Sequence, residues 1–223
     1  MIWNGGLLVV PAAPALKDME SHMGYRSALL DADLAITDSA YMVLLWRWIT
    51  GQRLSRLSGL EYLRELLRRG DMRTEGNVVW IMAGQQSAKR NLTWLAEQGI
   101  PVPERCVYLA PMYGEEIHDK ALLDMLDRLR PQHIVVTVGG GTQERLGSYL
   151  KHAVGYRPAI HCIGAAIAFL SGDQVRIPVW ADALYLGWLF RSLSEPARYV
   201  PRYWNARKLW ALMRKYRERL PVA

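Results

Sequence analysis

The stretch Ile134-Val135-Val136-Thr137-Val138-Gly139-Gly140-Gly141-Thr142-Gln143-Glu144 runs from β-branched residues through a glycine turn into a helical pattern that lasts to His152. A short, unbroken β-branched run followed by glycines and a helix is the βα half of a parallel crossover unit. The same rhythm extends in both directions. Strands are expected at Leu7–Val10, Leu34–Thr37, Asn77–Met82, Arg105–Leu109 and Ala159–Ile163. Helices are expected at Leu16–Leu30, Tyr41–Ile49, Gly59–Leu67, Ser87–Gln98 and Glu115–Leu129. In the third of these helices Leu60, Leu63, Leu66 and Leu67 recur at i, i+3, i+4 spacing, with Arg64, Arg68 and Arg69 elsewhere. Strands alternating with helices predict an α/β domain with a mostly parallel sheet. Ligands gather at the carboxyl ends of such strands, which selects four loops: Pro11-Ala12-Ala13, Thr37-Asp38-Ser39, Gly84-Gln85-Gln86 and Gly139–Glu144. The last is either a phosphate cradle at a helix N-terminus or a simple tight turn, since it is neither GxGxxG nor a Walker A.

The chain has 223 residues, 51% hydrophobic and 22% charged, the make-up of a folded globular domain. Uncharged stretches such as Ala159 to Gly172 fall short of the ~20 residues that span a hydrocarbon core. The opening Met-Ile-Trp-Asn-Gly-Gly lacks the features of a secretory signal, and two isolated cysteines suggest no disulfide framework. Both features predict a cytoplasmic chain. The formal net charge is +7. Residues 198–223 hold eight basic groups against Glu218, so residues 1–197 keep 20 of each sign and are neutral. Two parts are therefore expected: a Rossmann-like domain over 1–197 and a basic appendage over 198–223. In the appendage Leu209, Met213, Tyr216 and Leu220 share a helical face, with Arg207, Lys208, Arg214 and Lys215 opposite. That pattern suits an in-plane membrane helix or a helix packed on the domain with its charges solvated. Nucleic acid is the weaker partner, because the charge lies on a tail rather than on a face of the fold.

Colinear motifs add specificity. Gly139-Gly140-Gly141-Thr142-Gln143-Glu144, Gly164-Ala165-Ala166, Gly172, Arg176-Ile177-Pro178, Trp188-Leu189-Phe190-Arg191, Glu195-Pro196-Ala197-Arg198 and Arg202-Tyr203 follow one another with tight spacing. This succession resembles the WecG/TagA/CpsF glycosyltransferase family, whose members carry G-x-P-x-Q-E, G-V-G-x-x-F-D-x-x-x-G, R-A-P, E-W-L-Y-R-L, E-P-x-R and R-R-Y. Pro11, Asp38, Arg56 and Gly59-Leu60-Glu61 match the family's earlier motifs. The resemblance covers roughly residues 7 to 205, and typical members begin about 25 residues earlier.

It implies a Rossmann-like glycosyltransferase of the separate GT-E type, inverting, independent of metal and without a cofactor. Such an enzyme moves a sugar from a nucleotide diphosphate, expected to be UDP, to a lipid diphosphate-linked saccharide in wall-polymer or exopolysaccharide assembly. It would be peripheral on the inner membrane face, with an anionic bilayer as partner and homo-oligomers possible. By position Asp38 matches the base; the residue pattern alone leaves it equally an N-cap for the next helix. Arg56 matches a diphosphate contact or is a solvated surface arginine. Pro11, Ala12, Gly84, Gly139, Gln143, Glu144, Gly164 and Arg176 fall at the donor site; Glu144 is also ordinary dipole matching and Arg176 also suits a structural ion pair. Arg191, Arg198, Arg202, Arg207 and Arg214 fall where the acceptor diphosphate and membrane would lie. Asp31-Ala32-Asp33 precedes its strand, which argues against a metal-chelating D-x-D. None of the five histidines has metal-ligand spacing.

Seven residues at four places depart from the family pattern. Ile167-Ala168 replaces F-D, Gly187 replaces the Glu of E-W, Gly141-Thr142 replaces Pro-Lys, and Val10 and Ala12 replace polar neighbours of the first-loop proline. These changes imply either a different donor sugar or a non-catalytic partner that binds nucleotide sugar or lipid-linked glycan.

Overall fold

The structure, a computed structural model, describes residues 4–172 and 187–219. Six strands, β1 Gly6–Val9, β2 Leu34–Ala35, β3 Val78–Met82, β4 Val107–Leu109, β5 His133–Val136 and β6 Ala159–Cys162, form one sheet in the order β2-β1-β6-β5-β3-β4. Every pairing is parallel. Eight helices fill the connections up to residue 171: α1 Ala13–Leu16, α2 Met23–Asp31, α3 Ala40–Thr50, α4 Gly59–Leu67, α5 Gln85–Glu97, α6 Lys120–Leu129, α7 Thr142–Ala153 and α8 Ala166–Ser171. Among the described residues of the C-terminal region three more follow: α9 Gly187–Ser194, α10 Pro196–Ala206 and α11 Lys208–Tyr216. The chain thus forms the expected α/β architecture with a helical C-terminal region.

Burial on both faces explains why the strands are apolar at most positions, His133 and His161 being the buried polar exceptions. Leu8, Trp80, Met82 and Val135 face a core closed by Leu63 and Leu66 of α4, Leu95 of α5 and Ile167 of α8. Their neighbours Leu7, Val9, Val79, Ile81, Ile134 and Val136 face the opposite core, closed by Leu122 and Leu126 of α6 and Leu146 and Leu150 of α7. A parallel sheet buried on both faces needs apolar residues at odd and even positions alike. On the second face the helix approaches very closely at Gly147, where a Cβ would lie 2.5 Å from Cys162 Sγ and 2.6 Å from Leu7 Cδ1. Gly147→Ala is therefore expected to destabilise the fold by about 1–3 kcal/mol, despite alanine's better helix propensity. Denaturant titration checks this; an unchanged midpoint would refute the close-packing argument.

Two helices begin later or break earlier than expected. The pattern over Leu16–Leu30 divides into α1 and α2, because a turn closes between them: the Asp18 carbonyl accepts from the Ser21 hydroxyl at 3.0 Å and from the His22 N–H at 3.0 Å. The pattern over Glu115–Leu129 becomes helical only at Lys120. Asp119 takes the N-cap there, its carboxylate accepting the Leu122 N–H at 3.0 Å and the Tyr108 and Tyr113 hydroxyls.

The C-terminal helices pack on the body. Leu209 and Leu212 of α11 are buried with Ala206 against Ala13 and Leu16, and Met213 and Tyr216 pack on the same cluster. Lys215 and Tyr216 both bond Glu20, at 2.7 and 2.5 Å. Of the two readings of the amphipathic pattern, this arrangement is that of a helix packed on the domain: the apolar face of α11 lies against Ala13 and Leu16. Leu220 lies outside the described residues.

Candidate active site

The connection leaving β3 runs outward to β4, while that leaving β5 returns inward to β6, so the carboxyl ends of these adjacent strands part. A cleft of roughly 1570 Å³ opens there and runs along the carboxyl edge from Val10 and Ala12 to Asp38 and Arg56, the glycine turn and Gly164, with α10 as its far wall.

The loop after β2 and the loop before α4 are joined residue by residue. The Thr37 hydroxyl donates to the Ser55 carbonyl at 2.6 Å, and Arg56 Nε donates to the Asp38 carbonyl at 2.9 Å. Asp38 Oδ1 accepts the Gly59 N–H, at the first turn of α4, at 2.8 Å. The N-caps belong to other residues: Ser39 Oγ accepts from Met42 N–H in α3, and Ser58 Oγ accepts from Glu61 N–H in α4. Asp38 is therefore not the cap of the helix that follows it. Its carboxylate is held at the cleft by a backbone donor at the first turn of another helix.

Across the cleft Gly141, at φ +89°, adopts a backbone conformation that side-chain-bearing residues rarely take, and turns the chain into α7. Glu144 lies fully buried behind this turn. One carboxylate oxygen accepts the Gly141 N–H at 2.7 Å, the other the Gln143 amide at 3.0 Å, and burial pushes its pKa upward. Glu144 thus shapes the turn from behind without reaching the cleft. Gln143 does line it, and with its Nε2 given to Glu144 the buried Oε1 has no partner among the described residues. A buried acceptor without a donor is uncommon in a folded protein, which singles out Gln143 on the cleft wall.

Among the other expected residues, Ala12, Gly139 and Gly164 line the cleft, whereas Pro11 is buried beneath it and Gly84 precedes the lining residue Ser87. Arg207 and Arg214 lie outside it, stacked over Trp204 at 4.2 Å and Trp210 at 5.2 Å. Arg176 lies outside the described residues, as do the side chains of Arg191, Arg198 and Arg202. Asp31 and Asp33 sit at the amino-terminal edge of the sheet, bonded to Ser148, Lys151 and the Leu7 N–H. Among the described residues no group of three His, Cys, Asp or Glu side chains comes together as a metal site.

Arg145 escaped the sequence reading. It lines the cleft one turn beyond the glycines, where Nε donates to the Gly141 carbonyl at 3.1 Å and Nη1 to Gly114 and Glu115 at 2.7 and 2.6 Å. The i+4 spacing from Gly141 was the available signal. Trp188, Tyr199 and Tyr203 form an aromatic wall, Tyr203 stacking on Tyr199 at 6.2 Å and meeting Trp188 edge-on at 6.5 Å. All four departures from the family pattern that lose polar groups, Val10, Ala12, Ala168 and Gly187, line this same cleft.

Comparison with known proteins finds a family match and two relatives of one description. The family model described as "Glycosyl transferase WecG/TagA/CpsF family" matches residues 3–221. An N-acetylglucosaminyldiphosphoundecaprenol N-acetyl-beta-D-mannosaminyltransferase of Bacillus spizizenii is 22% identical over 209 residues, covering 91% of this chain and 79% of the relative. A protein of the same description from Bacillus subtilis is 21% identical over 198 residues, covering 86% and 73%.

Proposed function

Because the chain belongs to the WecG/TagA/CpsF glycosyltransferase family, we propose that it moves a sugar, with inversion and without a metal, from a nucleoside diphosphate to a lipid diphosphate-linked saccharide. The observation that carries this reading is the convergence of Asp38, Arg56, the glycine turn and Gln143 on one cleft. Its roughly 1570 Å³ exceeds the ~300–1,000 Å³ of single-ligand pockets and leaves room for donor and acceptor together.

In the proposed step an acceptor hydroxyl oxygen bonds to the anomeric carbon as the bond from that carbon to the diphosphate oxygen breaks on the opposite face. Asp38 takes the hydroxyl proton, and the departing nucleoside diphosphate keeps the electron pair. Arg56, with Arg176, would stabilise charge developing on the diphosphate. Gln143 Oε1 would accept from the donor. Arg191, Arg198, Arg202, Arg207 and Arg214 would meet the acceptor diphosphate and an anionic membrane surface in bacterial wall-polymer or exopolysaccharide assembly. The relatives' names point to an undecaprenyl diphosphate-linked N-acetylglucosamine acceptor. The cleft's apolar Val10, Ala12 and Ala168 support a donor other than their N-acetylmannosamine.

The test is incubation with a panel of UDP-sugars and a short-chain polyprenyl diphosphate-linked N-acetylglucosamine, with the product's anomeric configuration read by NMR. Transfer of one sugar with inverted configuration is expected. Nucleotide-sugar binding by calorimetry with no transfer to any acceptor would overturn the catalytic reading in favour of a binding partner.

A further inference from the structure

The outward face of α3 is apolar. The helix turns Val43 and Leu45 into the core, while Leu44 and Trp48, 50% and 73% exposed, share one stripe with the exposed Tyr41. The i, i+3, i+7 spacing aligns these three along the helix, on the side where a helix at a domain surface ordinarily carries polar residues. Arg47 is the one charged residue in α3. The stripe continues onto the C-terminal helices: the Trp48 ring lies 6.4 Å from that of Trp210, over which Arg214 is stacked. One helix earlier Trp204, 63% exposed, carries Arg207 over its ring.

We propose that Tyr41, Leu44 and Trp48, together with Trp204, form the ridge by which this protein docks on an anionic bilayer. Their rings would enter the headgroup boundary, and the cations of α11 would meet lipid headgroups. Three observations favour a bilayer over other occupants. Tryptophan with stacked arginine is suited to the wet edge of a membrane. The surrounding C-terminal residues carry the whole excess of +7, so a second copy seated on the same face would oppose like charges across a two-fold axis. The apolar face of α11 is already buried on the body, so insertion must come from another element. Tyr41 and Leu44 also line the cleft, which sets its mouth against the lipid. The docking face deepens the anionic-membrane part of the proposed function and rests on it, and this last consequence rests also on the proposed lipid-linked acceptor.

The test uses the full chain and phosphatidylcholine vesicles with and without phosphatidylglycerol. Wild type is expected to sediment with the anionic vesicles alone. Trp48→Glu and Trp204→Glu are each expected to lower partitioning at least about tenfold, with Trp48→Phe close to wild type. Thermal unfolding checks that each variant folds, and the two tryptophans lie on different helices, so one failing to fold leaves the other informative. Turnover on the short-chain, water-soluble acceptor is expected to persist in both. Partitioning unchanged in a folded variant, or equal on neutral vesicles, would overturn the proposal. So would a concentration-dependent oligomer that Trp48→Glu dissolves, in a protein that ignores vesicles. Vesicle binding that follows Trp48 in a protein without transferase turnover supports the docking face and counts against the transferase reading.

Discussion

Asp38→Asn is expected to lower kcat by about 10²- to 10⁴-fold with the fold intact, the size of effect typical for loss of a positioned base. The isosteric amide isolates the proton-accepting role. Its side-chain oxygen can still accept the Gly59 N–H that Asp38 accepts at 2.8 Å, and the main-chain carbonyl at this position can still accept from Arg56 Nε. What the amide cannot do is take the acceptor's proton. Stability is therefore expected to change by no more than about 1 kcal/mol, mainly through the weaker bond of a neutral acceptor, while the loss falls on kcat more than on KM. A carboxylate acting only as a loop clasp gives the opposite pattern. Asp38→Asn would then transfer sugar at nearly the wild-type rate, and that result would end the assignment.

The sheet was legible because its strands are buried on both faces: Val78–Met82, the run from Ile134 to Val136 and, apart from His161, Ala159–Cys162 stand out as short apolar runs. Boundaries shifted where a side chain competed with the helical pattern, as with Asp119 capping α6. Within the site, loop position and motif order selected Asp38, Arg56 and Gln143. The link between the first two, a side-chain bond to a main-chain carbonyl 18 residues away, leaves no trace in residue spacing. The burial of Glu144 is equally invisible, because an acid at a helix start reads as exposed dipole matching. The C-terminal pattern left two readings open for another reason. Hydrophobic periodicity identifies an apolar face but not what covers it, and Ala13 and Leu16 supply that cover from the far end of the chain.

A second large effect is expected from acid, through a polar chain that the proposed chemistry does not use. Away from the cleft lining, the Tyr62 hydroxyl of α4 lies 2.7 Å from His161 Nδ1, and His161 Nε2 lies 3.0 Å from His133 Nδ1. His133 Nε2 faces Asp71 Oδ2 at 3.4 Å, so its proton belongs on that nitrogen. Each neutral ring then donates toward Asp71, and Tyr62 donates into the chain. Burial holds His161 at a pKa of about 3 and pushes His133 down as well. A base depressed in the folded state leaves the unfolded chain to bind the proton first. Stability is thus complete above the unfolded value near 6.5 and is lost as pH falls below it. For His161 alone the loss is about 2 kcal/mol at pH 5 and about 3 at pH 4. His133 adds to it. Glu144, whose pKa is raised by burial, works in the opposite sense, gaining stability as pH falls, and His133 remains a second contributor, so the wild-type slope alone does not isolate His161. Comparison with the double variant Tyr62→Phe/His161→Leu does, since it removes the titrating ring together with the hydroxyl that would be left unpaired. Urea midpoints measured from pH 7 to 5 should fall more steeply for wild type than for this variant. Parallel slopes would mean that His161 gains its proton without unfolding, which a ring closed between Tyr62 and His133 does not allow.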